Sequence, residues 1–327
     1  MRLLVTGGAG FIGSNFVRQV LADGYPSLAG ASVTVYDKLT YAGNLANLEP
    51  VAGSDRYTFV KGDILDSALL DEVLPGHDAV LNFAAESHVD RSIESSSDFV
   101  MTNTVGVQTL FDACLRARVP RVLQVSTDEV YGSITDGEFR EDDVLSPSSP
   151  YSASKAGGDL LARSYAVTHG MDVVITRCTN NYGPYQYPEK VIPLFVTNLI
   201  DGLRVPLYGD GSNVRDWLHV DDHCRAIALV LDGGRRGEIY NISGGTALNN
   251  RELCEHLVAA CGRDWSAVEN VVDRKGHDFR YAIDDSKIRD ELGYEPAVDF
   301  DAGLAATVEW YQRNDEWWRP LKQPSSG

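Results

Sequence analysis

The sequence lacks several features that mark membrane, secreted and nucleic-acid-binding proteins. No apolar stretch approaches the roughly 20 residues that a membrane-spanning helix needs, and the N-terminus leads directly into an apolar strand, which leaves no room for a signal peptide. Basic residues are few: 29 Lys and Arg stand against 47 Asp and Glu, for a formal net charge of −18. We therefore expect a cytoplasmic protein with no membrane segment and no nucleic acid as a partner.

Cysteine is also scarce. The 327 residues include five cysteines, an odd number, and no two of them have a CxxC spacing. This pattern favours buried free thiols over a disulfide framework or metal ligands, so we predict no metal site. At this length, one doubly wound domain with a second lobe fits better than a single small core.

Glycine, by contrast, is concentrated at one informative place. An apolar strand at residues 3–5 is followed at once by glycines at positions 7, 10 and 13, and apolar residues then recur at helical spacing. A strand, a tight glycine turn and a helix N-terminus together form a cradle for a pyrophosphate. We expect the turn to bind a dinucleotide through Gly7, Gly10, Phe11, Ile12 and Gly13.

A second cofactor signal is the carboxylate of Asp37, which ends an alternating β-branched strand at residues 33–37. An acid at the tip of the second strand accepts both adenosine ribose hydroxyls, which favours NAD over NADP. The alternative is an ordinary strand-end Asp that caps a turn. Further predicted cofactor contacts are Lys38, Thr40, Asp63, Ile64, Ala84, Thr104 and Asn181. For Thr104 a helix-facing packing role is the alternative.

Short apolar runs alternate with helical stretches over the first half of the chain. The predicted strands are residues 2–6, 33–37, 57–61, 79–83, 121–125 and 172–176. Such alternation is typical of an α/β fold with a doubly wound parallel sheet of the Rossmann type. From residue 177 the sequence becomes rich in Asn, Tyr, Pro and Gly. We predict an NAD-binding domain over 1–176 and a smaller α/β substrate lobe over 177–327, with the chain returning to the first sheet near 215–242.

The residues with the clearest catalytic potential follow the strand at 121–125. Thr127, Asp128 and Glu129 stand where ligands of open α/β sheets bind, beyond the carboxyl ends of the strands. Tyr151 and Lys155 lie four residues apart, on one face of a predicted helix. A lysine one turn away, with the positive nicotinamide ring of the cofactor near it, is expected to lower the tyrosine pKa from about 10. The alternative for the two acids is a solvated pair in a loop.

Together these motifs resemble the extended short-chain dehydrogenase/reductases that act on nucleotide sugars, and more narrowly the family of dTDP-glucose 4,6-dehydratases. The resemblance spans nearly the whole chain and is carried by residues 41–44, 84–92, 127–132, 179–184, 206–211, 214–217 and 273–278. Related epimerases have small residues in place of Asp128 and Glu129, and decarboxylases typically keep only the Glu. Those two enzyme classes and a UDP-glucose dehydratase are the alternatives. Lys275 and Phe279 stand where the family usually has Pro and Arg, which bears on base selectivity.

The resemblance implies a mechanism with bound NAD and dTDP-glucose. Tyr151, supported by Lys155, takes the proton of the 4-hydroxyl while the C4 hydride passes to NAD, and Thr127 bonds to the same oxygen. The resulting ketone acidifies C5–H, so that Glu129 removes this proton and Asp128 protonates the departing 6-hydroxyl. The hydride then returns to C6 and a proton returns to C5, giving dTDP-4-keto-6-deoxyglucose. The pair of carboxyls suits these roles if their environments split their pKa values, with Asp128 as the protonated member.

The resemblance also implies the substrate contacts and a homodimer. Phosphate binding is assigned to Arg215, Lys190 and Arg274, although Lys190 and His277 have ordinary surface or loop roles as alternatives. The full set of expected substrate contacts is Ser87, Thr127, Asn180, Glu189, Lys190, Pro206, Tyr208, Arg215, Asn250, Arg274, His277 and Tyr281. Helices around 100–117 and 152–168 are expected to form the dimer interface, with apolar side chains such as Val105, Leu110, Leu160 and Tyr165. The same side chains could instead pack inward.

Overall fold

The computed structural model describes residues 1–273 and 277–322. Its strands, in chain order, are β1 Arg2–Thr6, β2 Ser32–Asp37, β3 Tyr57–Lys61, β4 Ala79–Asn82, β5 Arg121–Thr127, β6 Val173–Cys178, β7 Asn180–Tyr182, β8 Val205–Tyr208, β9 Val214–His219, β10 Ile239–Ile242, β11 Ala247–Asn249 and β12 Val268–Val271. Predicted and observed strands of the first half agree to within about two residues.

Helices connect most of these strands. They are α1 Phe11–Leu21, α2 Ser67–Val73, α3 Val89–Glu94, α4 Ser97–Val100, α5 Val107–Ala117, α6 Pro150–Thr168, α7 Val191–Ile200, α8 Val220–Gly233, α9 Asn250–Ala260, α10 Ser286–Leu292, α11 Phe300–Arg313 and α12 Asp315–Trp318. A π-helical turn, Met101–Gly106, joins α4 to α5. Short 3-10 segments cover Pro26–Leu28, Leu45–Val51, Asp128–Tyr131, Trp265–Ala267 and Arg319–Leu321.

The largest sheet has seven strands in the order β10-β6-β5-β4-β1-β2-β3, and every neighbouring pair is parallel. The chain moves outward in one direction from β1 to β3 and in the other from β4, so the direction reverses between β1 and β4. In doubly wound sheets, ligands bind at the carboxyl edge beside this reversal. The Rossmann-type α/β fold predicted from the alternation of strands and helices is confirmed.

Two smaller sheets follow. β9 lies between β7, which is parallel to it, and β11, which is antiparallel, while β8 and β12 form a parallel pair. Because β7 starts two residues after β6 ends, the chain passes directly from the large sheet into the smaller one. The second half also contributes β10 to the large sheet. The division of the chain into domains at residue 176 stays a prediction.

Apolar side chains on both faces of the large sheet form its cores. One face is covered by α1 and α8 and includes Tyr240 and Tyr294 from the second half of the chain. The other face is covered by α2, α5 and α6. A third cluster, which includes Phe195, Trp217 and Trp318, lies among β8, β9, α7, α9 and α11. Burial of these side chains fixes the sheets relative to their helices, and therefore fixes where the strand ends point.

Candidate active site

A deep cleft lies at the carboxyl edge of the large sheet. Its lining comes from the residues that follow β1, β2, β4, β5 and β6, and its empty volume, including the open mouth, is about 1610 Å³. A cleft at the carboxyl edge of a doubly wound sheet, beside the reversal in strand order, is where such folds bind ligands. Both halves of the chain contribute, since residues 179–190 line it together with residues 7–13 and 36–43.

The glycine turn forms one end of this cleft. Gly7 has a left-handed backbone with φ +65°, and a Cβ there would lie 2.6 Å from the Ala84 backbone nitrogen. A Cβ at Gly13 would lie 2.4 Å from the Gly7 carbonyl oxygen. Any side chain would therefore push the turn away from the end of β4 or lift α1 from the sheet. This geometry fits the pyrophosphate cradle that the glycine spacing predicts.

Asp37 lies in the cleft wall and is 8 % exposed. Its two carboxylate oxygens accept hydrogen bonds from the backbone N–H of Ala9 at 3.0 Å and of Leu39 at 2.7 Å. Burial raises the pKa of this carboxyl, while the two amide donors act in the opposite direction. The side chain thus lines the cleft and also ties the glycine turn to the end of β2, so the turn-capping alternative describes observed contacts and the role of Asp37 on the adenosine ribose stays a prediction.

Most of the predicted cofactor residues meet in this cleft. Gly7, Gly10, Phe11, Ile12, Gly13, Asp37, Lys38, Thr40, Asp63, Ile64, Ala84, Tyr151, Lys155 and Asn181 line it. Lys38 and Asp63 form an ion pair at 2.7 Å on its rim. Thr104 lies outside the cleft, because its hydroxyl donates to the Ser154 carbonyl at 3.0 Å and packs the π-helical turn against α6. Its packing alternative is therefore the better description.

All five predicted catalytic residues converge at the end of β5. Thr127 is the last strand residue, two positions later than predicted, because β5 continues to pair with β6 through Thr127 and Cys178. A 3-10 turn over Asp128–Tyr131 then turns the carboxyls into the cleft. On the facing helix, Ser149 caps α6 and Pro150 starts it, which places Tyr151 in the first turn, buried against β5.

Asp128 is held as a buried acid. It is 3 % exposed; one carboxyl oxygen accepts from the Thr127 hydroxyl at 3.2 Å, and the other has no hydrogen-bond partner among the described residues. Burial, and next the adjacent Glu129, raise its pKa well above the ordinary value. Both causes disfavour the carboxylate, since it loses hydration and faces a like charge. The direction agrees with the protonated state predicted for Asp128.

The pKa of Tyr151 is raised in the chain by itself. Burial and the neighbouring carboxyls, Glu129 first, raise it well above the ordinary value, whereas the hydrogen bond with the Thr127 side chain lowers it. Lys155 is also buried, has its own pKa lowered by burial, and donates to the Val125 carbonyl at 2.8 Å. In the chain by itself, burial and the two acids therefore set the direction of the Tyr151 pKa, and its lowering by Lys155 together with a bound nicotinamide ring stays a prediction.

The mouth of the cleft is bridged by ion pairs. Glu189 accepts from Arg91 at 3.1 Å and lies 3.9 Å from the His88 ring nitrogen. The Arg91 guanidinium also lies over the Tyr41 ring, 3.9 Å from its centre. Lys190 donates to the Ser87 carbonyl. The predicted substrate residues that line the cleft are Ser87, Asn180, Glu189 and Lys190. Glu189 and Lys190 already contact the segment after β4, through Arg91 and the Ser87 carbonyl.

The remaining predicted substrate residues form a second group beside the cleft. Arg215 lies 4.1 Å above the Tyr281 ring and donates to the carbonyls of Val214 and Asp278 at 2.7 and 2.9 Å. Both side chains reach the acids electrostatically, since Arg215 lowers the pKa of Asp128 and Glu129 raises that of Tyr281. Pro206, Tyr208, Asn250 and His277 lie farther along β8, α9 and the segment after residue 276. Arg274 lies outside the described residues.

Comparison with known proteins identifies the family. A model for GDP-mannose 4,6 dehydratases matches residues 4–307. A dTDP-glucose 4,6-dehydratase of Streptomyces niveus is 59% identical over 324 residues, covering 99% of this chain and 96% of that protein. The chain belongs to the dTDP-glucose 4,6-dehydratase family. The crystal structure of the dTDP-glucose 4,6-dehydratase DesIV from Streptomyces venezuelae, solved with NAD bound, is 62% identical, with a TM-score of 0.97 over 98% of this chain and all of that one.

A solved structure from a related enzyme class shows how much of the structural similarity comes from the fold alone. The UDP-glucose 4-epimerase of Thermotoga maritima, solved with UDP-glucose, is 30% identical, with a TM-score of 0.88 over 96% of this chain and 99% of that one. Dehydratases and epimerases therefore share the architecture, and the fold by itself does not distinguish the two reactions.

Several residues of this family member line the cleft without having been predicted. Ser126, Thr179 and Gln186 each place a buried side-chain oxygen there with no hydrogen-bond partner among the described residues. Cys178 and Glu86 also line it. The strand-end rule could have found Ser126, Cys178 and Thr179, because they flank the ends of β5 and β6. Gln186 sits in a loop that carries no such signal. Orphaned buried oxygens in a cleft wall are expected where a ligand supplies the partner.

Two kinds of feature are absent from the part of the chain that the structure describes. Within residues 1–273 and 277–322, no three His, Cys, Asp or Glu side chains come together as a candidate metal site. No helix in these ranges is long and apolar enough to cross a membrane.

Proposed function

We propose that this protein is an NAD-dependent dTDP-glucose 4,6-dehydratase, a hydro-lyase that produces dTDP-4-keto-6-deoxyglucose. The observation that carries the proposal is the group at the end of β5: a buried acid with a raised pKa, Asp128, beside a partly exposed Glu129 and facing Tyr151. An elimination needs a general acid and a separate general base, and this pair of adjacent carboxyls meets that need. An epimerase that acts through a ketone at C4 would need neither of these carboxyls, because its only proton transfer is at the 4-hydroxyl.

The cleft supports NAD as the cofactor. The cradle at Gly7, the carboxylate of Asp37 and the orphaned oxygens of Ser126, Thr179 and Gln186 are the groups that would hold it. When bound, NAD supplies a reversible hydride acceptor and a positive charge near Tyr151. Positive charge favours the phenolate, and so offsets the burial that raises the Tyr151 pKa in the chain alone.

The residues around the sugar take the roles that their contacts allow. Thr127 and Tyr151, whose side chains both line the cleft at the end of β5, bind the 4-hydroxyl, and Tyr151 takes its proton. Lys155, fixed on the Val125 carbonyl, holds positive charge one helical turn behind Tyr151. Glu129 removes the C5 proton once C4 is a ketone. Asp128, protonated in its dry site, donates to the departing 6-hydroxyl.

The nucleotide and diphosphate lie, in this proposal, along the group of residues beside the cleft that includes Arg215 and Tyr281. Arg215 is the preferred phosphate ligand, because a guanidinium fork suits phosphate and because it reaches the acids at the end of β5. Lys190 and Asn180 line the sugar end of the cleft. Arg274, outside the described residues, remains a sequence-based candidate.

We also propose that the protein acts as a cytoplasmic homodimer. The end of α4, the π-helical turn before α5 and helix α6 carry large exposed apolar side chains, namely Val100, Met101, Val105 and Leu160 at 45 %, 43 %, 36 % and 56 % exposure. Leu110 and Tyr165, expected at the interface, are packed inward instead. A Leu160→Glu variant tests the interface, since it should appear as a monomer in light scattering while the unmodified protein is a dimer.

The activity itself is tested with purified protein and either dTDP-glucose or UDP-glucose. We expect dTDP-glucose to yield a product lighter by one water, with UDP-glucose turned over more slowly. Tyr151→Phe serves as the inactive control. A product of unchanged mass would indicate an epimerase. Loss of water from UDP-glucose but not from dTDP-glucose would show that the enzyme selects uracil over thymine as the nucleobase.

A further inference from the structure

His223 is a fully buried histidine that has no place in the mechanism above. It is 0 % exposed and sits in the first turn of α8. β9 pairs in parallel with β7, with Leu218 opposite Asn181, and α8 begins directly after β9. This topology brings His223 behind the cleft wall formed after β6. The imidazole itself does not line the cleft, whereas Asn181 does.

The hydrogen bonds of Asn181 determine which nitrogen of His223 carries the proton. The Asn181 amide nitrogen donates to the Thr179 carbonyl at 3.0 Å and to the Cys178 sulfur at 3.4 Å. Its carbonyl oxygen therefore faces His223 Nδ1, at 2.8 Å. An amide oxygen only accepts, so Nδ1 must be the protonated nitrogen of a neutral ring.

The other ring nitrogen of His223 indicates that the histidine is present for its Nδ1–H donor and not for packing alone. Nε2 is then an acceptor, and it has no hydrogen-bond partner among the described residues. A leucine would fill this site without burying an unpaired acceptor, which is unfavourable. Burial also lowers the pKa of His223 to about 3, so the ring stays neutral and the Nδ1–H donor is constant at physiological pH.

The hydrogen bonds of Asn181 extend to the cleft surface. The Gln186 side chain donates to the Asn181 backbone carbonyl at 2.8 Å, and the Cys178 thiol in turn donates to the Ser126 carbonyl at 3.6 Å. Cys178, Asn181, Gln186 and Ser126 all line the cleft at its cofactor end, beside Lys155 and Tyr151. The orientation of the Asn181 side-chain amide therefore acts directly on Cys178 and on the Thr179 carbonyl, and through Cys178 on the end of β5, whereas Gln186 is held on the Asn181 backbone.

We propose that His223 is a positioning residue, whose Nδ1–H locks the Asn181 side chain and thereby shapes the wall that binds the dinucleotide. The inference rests on the proposed NAD function only in the identity of that ligand. It predicts a specific requirement, a donor at the Nδ1 position, which packing volume alone does not supply.

The matched variants are His223→Leu, which has no donor, and His223→Asn, whose side-chain amide places a donor close to the Nδ1 position. We expect His223→Leu to weaken NAD binding by about tenfold, as loss of one buried hydrogen bond implies. His223→Asn should restore the affinity to within about twofold. NAD affinity is measured by calorimetry on cofactor-stripped protein, and KM for dTDP-glucose is measured at saturating NAD, where it should change little.

A control separates this effect from general loss of stability. His77 is also buried, at 7 % exposure, but it lies just before β4, at the amino ends of the strands and on the opposite side of the sheet from the cleft. His77→Leu should lower the melting temperature without changing NAD affinity. Equal weakening by His223→Leu and His223→Asn, or no weakening by either, would overturn the proposal.

A measurement on the unmodified protein covers the case in which His223→Leu does not fold. The ¹⁵N shifts of the His223 ring report its tautomer, and we expect protonated Nδ1 with unprotonated Nε2; the reverse tautomer would overturn the proposal. An unmodified protein that binds NAD but fails to dehydrate dTDP-glucose would refute the proposed function alone. Normal dehydration with unchanged NAD affinity in His223→Leu would refute the role of His223 alone.

Discussion

The two walls of the cleft hold their charged groups in different ways. On the wall built by β1, β2 and β5, the carboxyls of Asp37 and Asp128 are buried and have raised pKa values. On the wall built by the loops of the second half, charges are paired before any ligand arrives: Glu189 with Arg91, and Arg215 with backbone carbonyls. The first wall thus buries its acids where their charged forms are unfavourable. The second wall holds its charged groups through ion pairs and hydrogen bonds.

This difference separates reaction from binding. A desolvated acid changes its proton affinity, which affects the chemical step, whereas a paired cation provides an oriented binding group. Substitutions on the first wall should therefore lower kcat or cofactor affinity, and substitutions on the second should raise KM with kcat preserved. Four substitutions test this contrast.

The largest loss is expected from Tyr151→Phe. Removal of the phenol hydroxyl removes the group that takes the 4-hydroxyl proton, so kcat should fall by about 10³-fold or more. The loss should include the first oxidation, seen as absence of any NADH absorbance when substrate is added. The ring still packs against Phe99, so the fold should be retained. A variant that still produced bound NADH at the normal rate would remove Tyr151 from the first step.

Asp128→Asn should reduce kcat by about 10²-fold, because the amide cannot protonate the leaving hydroxyl. The unmodified enzyme should lose activity on the alkaline side as Asp128 gives up its proton, and the variant should lack that limb. Bound NADH should accumulate in Asp128→Asn, since oxidation at C4 does not need this acid. Unchanged pH profiles in the two proteins would contradict the assignment.

The same substitution should also change stability in a pH-dependent way. The pKa of Asp128 is raised in the folded protein, so the folded state holds a proton that the unfolded chain releases near pH 4. This contribution to stability is complete below that pH and is lost as pH rises toward the folded pKa. Asn does not titrate, so Asp128→Asn should melt higher than the unmodified protein by about 2 °C or more at pH 8. The difference should shrink towards pH 5 in calorimetric melts.

Asp37→Ala should weaken NAD binding by about tenfold and narrow the preference over NADP, because the carboxylate both binds the ribose and repels a 2′-phosphate. Its bond to Ala9 N–H makes some loss of stability unavoidable. Asp37→Asn is the matched control, since its amide oxygen keeps one acceptor for that N–H without the charge. Equal affinity of the unmodified protein for NAD and NADP would contradict the role of Asp37.

Most of the first wall could be predicted from sequence, because its signals are local. The glycine turn, the strand-end acids and the capped start of α6 each depend on neighbouring residues. Two features of this wall have tertiary causes that no local pattern specifies. The later end of β5 follows from its pairing with β6, and the raised Tyr151 pKa of the chain by itself follows from burial against residues on another element.

The second wall was predicted as a set of residues but not as an arrangement. Arg215 reaches Tyr281, and Arg91 reaches Glu189, across long stretches of chain, and no local pattern specifies either contact. The same reason explains why His223 was overlooked. Its partner Asn181 comes close only because β7 and β9 pair, which is a property of the folded sheet.

The smallest effect is expected at the mouth of the cleft, where Arg91→Gln breaks the ion pair with Glu189. Glu189 would remain in the cleft wall but lose its cation, and Arg91 would no longer lie over Tyr41. Because the guanidinium side chain is 37 % exposed, solvent weakens the pair, and we expect KM for dTDP-glucose to rise only about threefold, with kcat within about twofold. Added salt should narrow the difference between variant and unmodified enzyme, as screening weakens the pair. Tyr41→Phe, which keeps the ring beneath Arg91, is the matched control and should change KM less. A drop in kcat comparable to that of Asp128→Asn would show that this pair acts on the chemical step, and the contrast between the two walls would fail.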